Sequence, residues 1–100
     1  MITGSQCAAA RMLVEINRRR LAEIARLDED ALELFENGTG VFPPETVETI
    51  ARTLEDLGAL FIPEEGALGA GVRLKFNRSV TRKIDMLENE GGPARSDDVP

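Results

Sequence analysis

The sequence predicts a mostly α domain that closes with a small antiparallel β-hairpin and one extra C-terminal helix. Three observations carry this. Apolar residues recur at three- and four-residue spacing as far as Leu57, which is the helical period. Residues that start helices (Thr3, Asp28, Pro44) and residues that stop them (Asn37-Gly38, Gly58) punctuate that pattern. At Ala59 the period changes: the apolar run at 60–62 stops at Pro63, and Val72, Leu74 and Phe76 then alternate with Arg73 and Lys75.

Thr3-Gly-Ser-Gln6 has the form of a capping box, with Thr3 as N-cap and Gln6 three positions inside. The first helix is expected to run from there to about Asn17. Ala9, Met12, Leu13 and Ile16 face the core by their spacing, and Arg11 and Glu15 lie four apart on the solvated side. Cys7, on an Ala-rich stretch, reads as a buried small apolar residue. Arg18, Arg19 and Arg20 open a second helix whose apolar side is Leu21, Ala22, Ile24 and Ala25. Asp28 caps a third, with Ala31, Leu32 and Phe35 buried and Gly38 in the left-handed conformation at its end. Pro44 suits the first position of a fourth helix, where Val47, Ile50, Ala51, Leu54 and Leu57 form the core stripe. Strands are expected at 59–62 and 71–77, with a loop from Pro63 to Ala70. Ser79 can cap a fifth helix to about Asn89, carrying Val80, Ile84 and Leu87 on one side. Residues 91–100 read as a disordered tail.

Two short apolar-faced helices joined as tightly as those in Arg18–Gly38 are a helix-turn-helix candidate. Leu21-Ala22, Ala25, Leu27, Leu32 and Phe35-Glu36-Asn37-Gly38 resemble the helix-turn-helix of the phage repressor and Cro family, the xenobiotic-response-element type of bacterial regulator. The resemblance covers roughly Thr3 to Gly58, and FIPEEG…GVRL resembles the tail attached to many such regulators. It implies a helix-turn-helix domain over 1–58, a dimerisation appendage over 59–90, and a transcriptional regulator that binds duplex DNA as a homodimer. It places Glu29, Asp30 and Glu33 on the base-reading helix. Arg18 takes the position where family members commonly carry a Gln that fixes the DNA backbone, and Arg19 and Arg20 extend that basic start.

Charge departs from this pattern. Lys and Arg number 12 against 18 Asp and Glu, a formal net charge of −6, the opposite of the basic footprint that duplex DNA favours. Asp28, Glu29, Asp30, Glu33 and Glu36 put five acids and no base on and around the base-reading helix. The connection Thr39–Pro43 has no Lys or Arg. Acids in a first helical turn also stabilise the helix dipole, by roughly 0.3–1 kcal/mol each, without any ligand. The strongest positive stretch lies outside the helix pair: Arg73, Lys75, Arg78, Arg82 and Lys83, with Arg78 and Arg82 four apart. The alternative to a DNA regulator is therefore a protein-interaction module on the same scaffold that has lost base reading and meets a basic protein partner.

A lone hairpin is marginal in water, so Phe61, Val72, Leu74 and Phe76 pack on the helices or form the interface of a homodimer. With no His and a single Cys, the sequence has no ordinary zinc site and no internal disulfide. The spaced ligands of a calcium loop are missing around Asp28. Neither a catalytic motif nor a cofactor motif is present, and the reading is of a non-enzyme without cofactors. No apolar run reaches membrane-spanning length and no leader pattern is visible, so the expected location is the cytoplasm.

Overall fold

Helix α1 (Gly4–Leu13), α2 (Arg18–Ala25), α3 (Glu29–Glu36) and α4 (Pro44–Asp56) are followed by two strands, β1 (Ala59–Ile62) and β2 (Gly71–Leu74). This is a computed structural model, and it describes residues 1–76. The expected helix at 79–89, the tail at 91–100, and Arg78 and Arg82 lie outside the described residues. A mostly α architecture with one antiparallel hairpin is what the described chain adopts. Among the described residues no helix is long and apolar enough to cross a membrane.

Local chemistry sets most boundaries. Thr3 Oγ1 accepts from the Gln6 N–H at 3.1 Å and Gln6 Oε1 accepts from the Thr3 N–H at 3.0 Å, a complete capping box at the start of α1. Asp28 caps α3 by accepting from the Ala31 N–H at 3.0 Å. Gly38, at φ 81°, reverses the chain after α3 in the left-handed region that a side chain disfavours. Pro44 is the first residue of α4.

The end of α1 differs from the expectation. The helix stops at Leu13, and Glu15 turns left-handed at φ 64°. Asn17 does not end α1; it starts α2, its Oδ1 accepting from the Arg20 N–H at 2.7 Å. An Asn side chain satisfies orphan N–H groups better at a helix start than it serves a helix interior. The inward face of α1 also differs. Gln6, Cys7, Ala10 and Val14 are buried, Leu13 and Ile16 are half-buried, and Ala9 and Met12 face solvent. In α2, Leu21 and Ala22 are buried but Ile24 is exposed.

Leu21, Leu32, Ile50 and Leu54 are fully enclosed between the helices, each contributing about 1.5–3 kcal/mol of apolar burial. α1 and α3 approach closely where Gly4 meets the end of α3: a Cβ there would sit 1.9 Å from the Phe35 carbonyl oxygen. Phe35 and Phe42 rings lie 5.3 Å apart and tilted, which pins the connection between α3 and α4.

The hairpin pairs Ala59 with Leu74 and Ile62 with Gly71. β2 is shorter than expected, ending at Leu74 rather than Asn77. Ala59 is buried, and Phe61, Val72 and Leu74 pack partly buried on the helical core. Two clamps hold the sheet. Gln6 Nε2 donates to the carbonyls of Gly71 at 2.8 Å and Ile62 at 3.3 Å. Lys75 donates its N–H to the Gly58 carbonyl and its Nζ to the Glu55 carbonyl, both at 2.8 Å, which satisfies the C-terminal end of α4.

Candidate functional site

The acids of α3 separate into two populations. Glu36 follows Phe35 directly and lies four residues after Leu32, so the stripe that buries those two turns it inward. Its side chain is 1% exposed. Oε1 accepts from Arg11 Nη2 at 2.9 Å and Arg18 Nε at 3.1 Å; Oε2 accepts from Arg11 Nε at 2.9 Å and from the Cys7 thiol at 3.3 Å. One carboxylate thus ties α1, α2 and α3 together, with Arg11 gripping it in the bidentate geometry suited to guanidinium. Arg11, expected on the solvated side of α1, is instead drawn inward by this partner.

The electrostatics follow from enclosure. Burial pushes Glu36 toward the neutral form, but hydrogen bonds from Arg11, Cys7 and Arg18 and the Arg11 charge more than offset it, holding the carboxyl below its ordinary 4.5. The same hydrogen bond raises Arg11. Burial, then the Glu36 charge and hydrogen bond, push the Cys7 thiol well above its ordinary value. Cys7 is a hydrogen-bond donor here, and its nucleophilic thiolate is suppressed.

The second population faces outward. Asp28 uses its carboxylate as the cap. Glu29 lies 3.8 Å from Arg19 Nε in an exposed pair. Asp30 and Glu33 are exposed, and their side chains make no hydrogen bond or ion pair to any described residue. Beside them Leu34 is 51% exposed. The N–H groups of Thr39 and Gly40 both donate to the Leu34 carbonyl, at 2.9 and 3.0 Å, folding the connection against this side of α3. A Cβ on Gly40 would come within 2.8 Å of Leu34 Cβ. One residue on, Val41 is 93% exposed.

The basic start of α2 is paired within the chain. Arg18 is half-buried on Glu36, Arg19 reaches toward Glu29, and Arg20 Nη1 lies 3.6 Å from Glu23. Of the residues expected to meet DNA, Arg18, Arg19, Arg20, Glu29, Asp30 and Glu33 lie on α2 and α3. Phe61, Val72 and Leu74 are half-buried against the core, whereas Phe76 is 49% exposed beyond β2. Neither the Cys7–Arg11–Glu36 cluster nor the exposure of Leu34 is evident from the sequence alone. The spacing Leu32–Phe35–Glu36 was the available signal for the first. Among the described residues no group of His, Cys, Asp and Glu could hold a metal ion. No family model matches the chain, and no curated protein matches it.

Proposed function

We propose that this chain is a transcriptional regulator of the repressor/Cro type, a helix-turn-helix domain that binds duplex DNA as a homodimer. The observation that carries the reading is the α2–α3 pair. Two eight-residue helices are separated only by Arg26, Leu27 and Asp28, with Arg26 in the left-handed conformation at φ 59°. Glu36 fastens the pair to α1, so α3 is held with its outward side free, as a reading helix requires. The acids on that side oppose phosphate, each unscreened like-charge contact by about 1 kcal/mol or more at an effective dielectric near 20. Affinity is therefore weak and strongly salt-dependent, or carried by the basic stretch at 73–83.

Titrating labelled duplex at low and moderate salt tests this, with Arg18→Ala/Arg20→Ala and Arg78→Ala/Arg82→Ala compared. Loss only in the first pair supports contact through α2 and α3; loss only in the second assigns binding to the basic stretch. Absence of binding at low salt removes the regulator reading. For the homodimer, placed at Phe61, Val72, Leu74 and Phe76, light scattering at micromolar concentration decides: a constant mass of 10.9 kDa excludes it.

The second reading is a protein-interaction module on this scaffold. The observation favouring it is that all three arginines opening α2 face carboxylates of their own chain, while Asp30 and Glu33 have no basic partner among the described residues.

A further inference from the structure

The two outer edges of the hairpin differ in what they offer. In an antiparallel pair, residues that exchange backbone hydrogen bonds alternate with residues whose N–H and C=O point away from the partner strand. The Lys75 N–H bonds the Gly58 carbonyl, and the register sets Leu60 opposite Arg73 and Ile62 opposite Gly71, so these are the bonded pairs. By the same alternation Ala59, Phe61 and Pro63 turn their backbone outward along β1, and Ala70, Val72 and Leu74 along β2. The β1 edge is blunted: Ala59 is fully enclosed and Pro63 has no N–H to donate. The β2 edge keeps an N–H at all three positions, and none of these outward groups bonds to a described residue. We propose that two copies of the chain pair antiparallel along β2, with the two-fold axis at Val72. The inference rests on the homodimer reading above and names its edge and register.

Charge and side-chain size select this register. Centred on Val72, the pairing bonds Val72 to its own counterpart and Ala70 to the partner's Leu74. It sets Arg73 across from the partner's Gly71 and Lys75 across from the partner's Gly69, so each cation meets a residue without a side chain. An axis at Arg73 would put the two Arg73 side chains face to face, and an axis at Leu74 would set Arg73 against the partner's Lys75. Like charges directly opposite are destabilising. An axis at Gly71 would aim Leu74 at the partner's Leu68, whose N–H and carbonyl are already bonded to Glu65 within its own chain. The isolated chain has no steric need for glycine at 69 or 71: an added Cβ meets no atom within 4 Å at either, and neither has a positive φ. A second copy laid along β2 is what uses the space. The two-fold also closes the assembly, whereas β2 joined to a β1 edge would propagate from copy to copy.

The test is sedimentation equilibrium of the full chain over a concentration series, with amide hydrogen exchange on the same samples. Gly71→Lys sets a cation against the partner's Arg73, and the two-fold repeats that contact, so dimerisation should weaken about fivefold or more; Gly71→Glu should strengthen it about threefold or more. Gly69→Lys and Gly69→Glu, opposite the partner's Lys75, repeat the test at a second position. Leu60→Ser/Ile62→Ser, on the outward face of the hairpin where both residues are exposed, should leave the affinity within about twofold. Exchange of the Val72 and Leu74 N–H groups should slow as concentration rises, while that of Phe61 does not. Circular dichroism confirms that every variant stays folded. A dimer that ignores the charge at both 69 and 71, or that is lost in Leu60→Ser/Ile62→Ser, overturns the edge pairing while the homodimer reading stands. A constant mass of 10.9 kDa removes both. Protection of the Val72 and Leu74 N–H groups by an unrelated extended Thr-Val peptide, with the chain itself monomeric, assigns the edge to another protein and overturns the second copy as its occupant.

Discussion

Glu36 and Glu33 sit three residues apart on the same short helix and have opposite roles. The Glu36 side chain is enclosed and accepts four hydrogen bonds from three side chains on α1 and α2; the Glu33 side chain is exposed and bonds to none of the described residues. The two lie about 60° apart around the helix, and that is enough: Glu36, four residues after Leu32, falls inside the buried stripe, and Glu33, next to Leu32, falls just outside it. Residue type therefore does not assign role here; position around the helix does. Counting five acids along this segment overstates the negative surface by one.

The largest expected effect breaks the inner half of this comparison. Glu36→Ala leaves Arg11 partly buried beside a hole and Arg18 without its anchor. Removing one partner of a buried ion pair typically costs about 3–5 kcal/mol, a large part of the roughly 5–15 kcal/mol of a small domain. Chemical denaturation measures it. Leu54→Ala, at the centre of the core, should cost about 2–5 kcal/mol by the same measurement. A loss below about 0.5 kcal/mol would show that α4 does not bury this stripe.

Acid sharpens the comparison next. The folded-state carboxyl of Glu36 is held below its ordinary 4.5, so its contribution is present above that value and is lost as pH falls through the lower folded value. Stability should decline below pH 4.5, and Glu36→Gln should flatten the part of that decline due to this group. Cys7 gives a kinetic counterpart: enclosed and held protonated, it should react with a thiol reagent at neutral pH only as fast as the domain opens. The smallest effect belongs to the outer half. Asp30→Asn and Glu33→Gln should each change stability by within about 0.5 kcal/mol.

Features set by neighbouring residues were legible in the sequence. Thr3 and Gln6 reveal the start of α1, Asp28 and Gly38 bracket α3, Pro44 opens α4, and Ala59–Ile62 is β1 to the residue. Each is a local preference that the tertiary structure did not override. What was not legible depends on distant partners. Arg11 reads as solvated until Glu36, 25 residues away, is known to lie against it. The stop of α1 at Leu13 depends on Asn17 capping the next helix and on Glu15 accepting a left-handed backbone, which no sequence pattern requires. Gln6 is recognisable as a capping residue, but not as the clamp on Ile62 and Gly71. For the outer face, the acids were visible; the folding of the Thr39 and Gly40 N–H groups onto the Leu34 carbonyl was not.

The most direct test of the division within α3 is a pair of double-mutant cycles, Arg11→Ala with Glu36→Ala and Arg19→Ala with Glu29→Ala, read by urea denaturation. The inner pair is enclosed and bidentate, and the outer is an exposed contact at 3.8 Å. A coupling of about 2 kcal/mol or more is expected for the first and less than about 0.5 kcal/mol for the second. Couplings of equal size, or an inner coupling near zero, would contradict the assignment of Glu36 to the interior and the other acids to the surface.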